Sequence, residues 1–271
     1  MEHSRRWFWR LMMAVLLLGM IGSGAGLIRE QFDASRQRRM ERQMAQAVWE
    51  NASEDRVQDV QEQRLPEQNS VVQEENMESL PYVSPIDFAA LTAKNPDTVG
   101  WIRVPDTKID YPIVQSTDNQ YYLHKNFAGE DSVYGAIYLD ADSQSDFSGW
   151  NNPIYGHHMK DGSMFQNIVK FKDPDFFQAH RYLEIYTPKR TIHLKTLACY
   201  YSDSDGIVRQ TSFPSQEAFT AWVKERLAPC SFAEIPKQPI TSMFVFVTCS
   251  YEQPDARTLL FAAEVDELEM D

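Results

Sequence analysis

Asn152-Pro153-Ile154-Tyr155-Gly156-His157-His158-Met159-Lys160-Asp161-Gly162-Ser163-Met164-Phe165 is an apolar strand-like segment that ends in a glycine, two histidines and a turn. It is answered near the C-terminus by Phe246-Val247-Thr248-Cys249-Ser250-Tyr251-Glu252-Gln253-Pro254-Asp255-Ala256-Arg257. There a second apolar segment ends in a cysteine, turns, and re-enters a strand-like run at an arginine. A thiol, an imidazole and a guanidinium brought to one sheet edge supply a nucleophile, an acid/base and a cationic clamp for an oxyanion. Their distance in sequence is no obstacle, because such trios are assembled in space.

Working outward, short strand-like segments follow one another between Pro, Asp, Gly and Asn breaks. They are Val99–Val104, Ile109–Gln115, Val133–Leu139, Pro153–Tyr155, Tyr182–Tyr186, Thr191–Tyr201, Ile240–Cys249 and Thr258–Val265. Many short strands with regular turn signals favour a barrel or sandwich. Helical stretches interrupt them at Ser84–Lys94, Gln120–Asn126, Met164–Val169, Pro174–Ala179 and Ser215–Leu227. In the last, Ser215 is a suitable N-cap, and Phe219, Trp222, Val223 and Leu227 fall on one face. This domain begins near Pro81 and comprises about 190 residues, enough to fold around one core.

The preceding sequence has a different character. Residues Leu11 to Ile28 carry no charged side chain, behind Arg5, Arg6 and Arg10. A run of roughly 18 apolar residues can just span a bilayer as a helix. The positive-inside bias then sets residues 1–28 as a cytoplasmic tip and single transmembrane anchor, with the rest outside the cell. A cleaved signal peptide is the alternative, since Gly22-Ser23-Gly24-Ala25-Gly26 offers small residues for cleavage. Residues 29–80 contain a single proline, Pro66, and no glycine. They are expected to form a juxtamembrane helix over residues 29–63, then a polar spacer that holds the domain off the membrane.

The 39 acidic and 26 basic residues leave a net charge of −13. That argues against a nucleic-acid binder, which needs a basic face for the phosphates. Of 3 cysteines in an exported chain, at least one stays unpaired, and such a leftover thiol is a candidate for reactivity. Cys199 lies within a strand-like run and reads as a small buried hydrophobe. Cys230 follows Pro229 in a loop, and a Cys199–Cys230 disulfide is an open geometric question. Cys249, at a strand's C-terminal edge, is the candidate nucleophile, although a structural cysteine is common at such a place.

His157 follows Gly156, which permits close backbone approach. His158, its neighbour, points the other way on a strand, and the pair lacks metal-ligand spacing. No metal or organic cofactor is expected. Arg257 can return to the thiol's end of the sheet if the two flanking strands are neighbours. A surface arginine paired with Glu252 or Asp255 fits the sequence equally well.

Three blocks together resemble the class B sortases, membrane-anchored cysteine transpeptidases of Gram-positive cell walls. The first is Asn95-Pro96-Asp97-Thr98-Val99-Gly100-Trp101-Ile102 with Ile109-Asp110-Tyr111-Pro112-Ile113-Val114-Gln115 and Tyr121-Tyr122-Leu123. The others are Ile154 to Phe165 and Thr248-Cys249 to Arg257. The likeness spans residues 81–271. It implies a closed eight-stranded β-barrel with peripheral helices, and Ser215–Leu227 resembles the extra helix that precedes the cysteine strand in this class. It also implies roles: Cys249 as nucleophile, His157 as catalytic histidine, Arg257 as essential arginine. The implied reaction cleaves a C-terminal sorting signal of secreted proteins through a thioester and transfers the acyl group to a peptidoglycan precursor amine. A pilin-polymerising sortase and a cell-wall cysteine peptidase, a hydrolase, are the alternatives. The sequence departs from the family's Thr-Leu-x-Thr-Cys run, reading Val245-Phe246-Val247-Thr248-Cys249. Only its last two positions fit. The family often carries serine two places before the cysteine, where Val247 stands here, and no role is carried over to that residue.

Overall fold

The computed structural model describes residues 7, 9, 12–13, 34–37, 39–40, 42–44, 82–203, 208–236, 238–249 and 256–266. The chain divides into two units, residues 1–43 and 44–271. In the first, every described residue is helical. Among the described residues no helix is long and apolar enough to cross a membrane. The expected span Leu11–Ile28 falls outside them except for Met12 and Met13, as do residues 45–80 of the expected linker.

In the second unit the elements run α1 (Phe88–Lys94), β1 (Thr98–Arg103), β2 (Asp110–Val114), α2 (Tyr121–His124), β3 (Ile137–Leu139) and β4 (Asn151–Tyr155). A 3-10 helix (Phe165–Lys172), α3 (Pro174–Ala179), β5 (Tyr182–Tyr186), β6 (Thr191–Ser202), α4 (Gln216–Leu227), β7 (Met243–Cys249) and β8 (Arg257–Glu264) follow. The strands close into a barrel in the order β1-β2-β3-β4-β7-β8-β6-β5, with β5 pairing back onto β1. Most neighbours are antiparallel, but β2–β3 and β4–β7 are parallel. A parallel pair needs a long crossover, and everything from Gly156 to Ser242 serves as that connection for β4–β7.

Composition explains why β7 sits in the middle of the fold. Residues Met243 to Thr248 are all buried, a continuous apolar run of the kind found where both sheet faces are covered. Phe244 and Phe246 share one face by the strand's two-residue period. Phe147 stacks on Phe244 at 6.1 Å between centroids, and Phe165 meets Phe246 edge-on at 6.0 Å. Both partners are fully buried, and each such side chain contributes about 1.5–3 kcal/mol of transfer free energy.

Helix boundaries follow local hydrogen bonding. Ser215 caps α4 by accepting from the Ala218 N–H at 3.3 Å, as its sequence suggests. The first helix starts at Phe88, later than the expected Ser84, because Asp87 and not a residue near Pro85 caps it, accepting from Ala90 N–H at 2.9 Å. The segment expected over Gln120–Asn126 is a single turn. Asp118 opens it by accepting from the Gln120 and Tyr121 N–H groups, and Asn126 draws the chain away by accepting from Ala128 and Glu130. The stretch from Met164 is a 3-10 helix, entered through Met164 at φ 55°.

Three strands are shorter than expected: β2 lacks Ile109 and Gln115, β7 begins at Met243 and not at Ile240, and β3 loses the most. Val133 is exposed and Gly135 sits at φ +58°, so the regular ladder begins only at Ile137. Before it, Ala136 N–H bonds Tyr122 O at 3.0 Å and ties the segment to α2. The disulfide question is also answered: Cys199 and Cys230 are buried thiols. Each points its sulfur at a backbone carbonyl, Cys199 at Ile168 O and Cys230 at Cys199 O.

Candidate active site

Strand register brings the three sequence-selected residues to one end of the barrel. Tyr155 on β4 pairs with Val247 on β7 in parallel, so residues two places beyond each, His157 and Cys249, leave the sheet at the same edge. The ladder runs one bond past β4, with Gly156 N–H donating to Val247 O at 3.1 Å. On the other side, Cys249 is the direct antiparallel partner of Arg257 on β8. The condition placed on Arg257, that its strand neighbour the cysteine strand, is met.

Glycine is required at two points around His157. A Cβ on Gly156 would lie 2.5 Å from Ile137 Cδ1 and 2.7 Å from Phe165 Cγ, so any side chain would push the histidine segment off the core. A Cβ on Gly135 would lie 2.9 Å from His157 Cδ2 and 2.7 Å from Tyr122 O. The imidazole therefore packs against a bare stretch of backbone. Its Nε2 is 2.8 Å from Leu123 O. A carbonyl only accepts, so this bond assigns the proton of the neutral ring to Nε2 and leaves Nδ1 as its basic nitrogen.

The helix that supplies this carbonyl is itself anchored. Tyr122 OH donates to Asp97 Oδ2 at 2.7 Å and accepts from Asn95 Nδ2 at 2.9 Å. Burial, reinforced by Asp97 and opposed by the Asn95 bond, pushes the Tyr122 phenol well above its ordinary pKa. It stays protonated at any physiological pH and remains a fixed donor.

His157 and Arg257 line a pocket of about 210 Å³ at this end. His158 is not among its lining residues. It forms an isolated antiparallel bridge with Met164 instead. Arg257 is half-buried, and its Nη1 donates to Ala256 O at 3.2 Å. The wall also contains Asn119, Leu123, Tyr138, Tyr155, Arg209 and Thr248, with the Tyr138 and Tyr155 rings stacked at 5.1 Å. Asn119 and Arg209 carry no sequence signal that separates them from ordinary loop residues, and Tyr155 stands within the histidine block, which by itself marks no role for it. Arg209 enters from the connection between β6 and α4, far from the motif blocks. Among the described residues no three His, Cys, Asp or Glu side chains converge as a metal site.

A histidine and an arginine thus line a small pocket at the C-terminal ends of β4 and β7, and the last residue of β7, a cysteine, is the strand partner of that arginine. No family model matches the chain. A curated sortase B from Listeria monocytogenes is 39% identical over 131 residues, 48% of this chain and 53% of that protein. The chain thus spans about half the length of that curated relative. Among solved structures, sortase B from Clostridium perfringens superposes with TM-score 0.62 at 31% identity, covering 66% of this chain and 99% of that one. Sortase B from Bacillus anthracis gives TM-score 0.60 at 32% identity, covering 66% and 84%. With this sequence likeness over nearly the whole of a solved sortase B, and the closed barrel described above, the chain belongs to the class B sortase family.

Proposed function

We propose that the protein is a cysteine transpeptidase in which Cys249 is the nucleophile, His157 the acid/base and Arg257 the oxyanion clamp. The observation that carries this reading is the register of β4, β7 and β8, which sets Cys249 opposite Arg257 and level with the end of the His157 strand. In the first half-reaction the Cys249 thiol proton passes to His157 Nδ1, the sulfur attacks a backbone carbonyl carbon of the sorting signal, and the carbonyl electrons move onto oxygen. Arg257 stabilises that oxyanion with a charged, planar donor set. Collapse breaks the C–N bond, and the departing amine takes a proton from His157. A thioester remains on Cys249. In the second half-reaction an acceptor amine attacks the thioester carbonyl, His157 Nδ1 takes its proton, and the C–S bond breaks to restore the cysteine. The hydrogen bond from Nε2 to Leu123 O holds the ring while Nδ1 exchanges protons.

The donor in this reading is a secreted protein with a C-terminal sorting signal, and the acceptor is a peptidoglycan precursor amine. The catalytic domain is residues 81–271. Residues 1–28 anchor it in the cell membrane with the N-terminus cytoplasmic, and residues 29–80 carry it clear of the bilayer outside.

The full-length protein in detergent, incubated with a library of C-terminal sorting-signal peptides, tests the reading. Intact mass should show a hydroxylamine-labile adduct on Cys249 that is absent in Cys249→Ala, and an added amine should convert it to an amide. Absence of any adduct on wild type would overturn the reading. Release as free acid despite a saturating amine would make the enzyme a hydrolase.

A further inference from the structure

We infer that Asp140 is a positioning residue for this site. It presets three side chains of the pocket wall that bind the donor peptide, and the inference rests on the transpeptidase reading above. Asp140 directly follows β3, and its N–H bonds Pro153 O on β4 at 2.9 Å. Its side chain is fully buried and is not part of the pocket lining. A buried carboxylate persists only where partners compensate its lost hydration. Here the partners come from the pocket wall. Oδ2 accepts from Asn119 Nδ2 at 2.9 Å and from Tyr155 OH at 2.9 Å, and Arg209 Nε lies 3.6 Å from the same oxygen. Asn119, Tyr155 and Arg209 all line the pocket beside His157 and Arg257.

The acceptor is itself held rigid. Oδ1 takes the Asp142 N–H at 3.0 Å, and Gln115 Nε2 donates to both Asp140 O and Ser143 O at 2.9 Å. Asn119 is clamped from two sides, because its Oδ1 also accepts from Ala141 N–H at 2.9 Å. One carboxylate therefore fixes an amide, a phenol and a guanidinium that reach the pocket from α2's approach, from β4 and from the β6–α4 connection. A site whose polar groups are already oriented loses less entropy on binding a peptide. The side-chain bonds of Asp140 go to none of His157, Cys249 or Arg257, so its contribution falls on peptide binding and not on the chemical step.

The split between KM and kcat tests this, using full-length enzyme and the library peptide that acylates wild type fastest. Asp140→Asn keeps the shape but replaces an acceptor oxygen by a donor. It should raise KM about tenfold with kcat, per active site counted by the acylation burst, changed less than about twofold. Arg209→Gln should raise KM as well, and the double variant should be less than additive. A general structural lesion would instead lower the burst amplitude and leave the KM of the active fraction unchanged. If Asp140→Asn does not fold, Tyr155→Phe removes a single donor and should raise KM by a smaller factor, with kcat retained. An unchanged KM in the folded variants, or fully additive effects at Asp140 and Arg209, would overturn the inference. Failure of wild type to acylate would instead count against the transpeptidase reading, so the two failures are distinct.

Discussion

The β5–β6–β8 side of the barrel and the β4–β7–β8 edge handle ionisable side chains in opposite ways. On the first, ionisable side chains face one another across the sheet and its flanks. His193 faces Glu184 at 3.8 Å, Arg190 pairs with Glu264, and Arg181 pairs with Glu234 at 2.6 Å. At the second, His157 bonds a backbone carbonyl, Arg257 donates to one, and both line a pocket. A charge already matched by a flexible surface partner adds little stability and does no chemistry. A ring held by a carbonyl through one nitrogen leaves its second nitrogen for the proton transfer proposed above. Under the proposed mechanism, substitutions at the two places should differ by orders of magnitude in effect.

The largest difference is expected at the two adjacent histidines. His157→Ala should lower acyl transfer by about 10²–10⁴, the range for losing a positioned acid/base. His158→Ala should keep activity within about twofold, because its backbone bridges Met164 and it does not line the pocket. Acylation rates of the two variants against one peptide check this, and a reversed order would break the comparison at its root.

Arg257 comes next. Arg257→Ala should cost about 10²–10³ in kcat with a smaller change in KM, as for removal of an oxyanion donor. Arg257→Lys should recover part of it, since charge remains but the fork is lost. Arg190→Ala, on the opposite side of the barrel, should leave both constants unchanged. Steady-state kinetics on folded variants would expose an Arg257 that behaves like Arg190.

Glycines sharpen the comparison at smaller scale. Gly135 and Gly129 both have positive φ, +58° and +76°, so alanine strains either backbone by about 1–2 kcal/mol. Only at Gly135 does the new methyl meet His157, at 2.9 Å from Cδ2, whereas at Gly129 the nearest neighbour is Tyr121 OH at 3.4 Å. Both variants should melt a few degrees lower, but Gly135→Ala alone should lose activity, by about tenfold if the ring is displaced. Thermal melts and acylation rates measured on the same samples decide it.

The smallest effect belongs to Glu234. The Gln178 hydrogen bond, then Arg181, hold its carboxyl below the usual range. A depressed folded pKa stabilises the fold above the unfolded value of about 4.3 and loses that contribution as pH falls through the folded value. Glu234→Gln should therefore remove a slight acid-side loss of stability, under about 1 kcal/mol because the side chain is 45% exposed. Denaturation midpoints at pH 3 and pH 7 would show it, with no change in catalysis.

Sequence alone determined the parts of this protein that depend on neighbours along the chain. Tyr182–Tyr186 and Pro174–Ala179 stand where the pattern of turns and apolar runs puts them, and Ser215 caps its helix. The histidine, cysteine and arginine could be singled out as candidates because each follows or opens an apolar run beside turn residues, and because the blocks around them resemble one family. Tertiary structure decided what depends on distant partners. The early end of the segment before β3 reflects Gly135 and the Ala136–Tyr122 bond, which no local pattern encodes. The closing order of the barrel, with its two parallel pairs, sets Cys249 beside Arg257. The thiol state of Cys199 and Cys230 depends on where β6 meets the end of α4. Asp140 was invisible for the same reason: an aspartate after a strand reads as a turn residue, and only folding buries it among Asn119, Tyr155 and Arg209. Periodicity and capping act over a few residues, whereas burial and convergence exist only once remote segments have met.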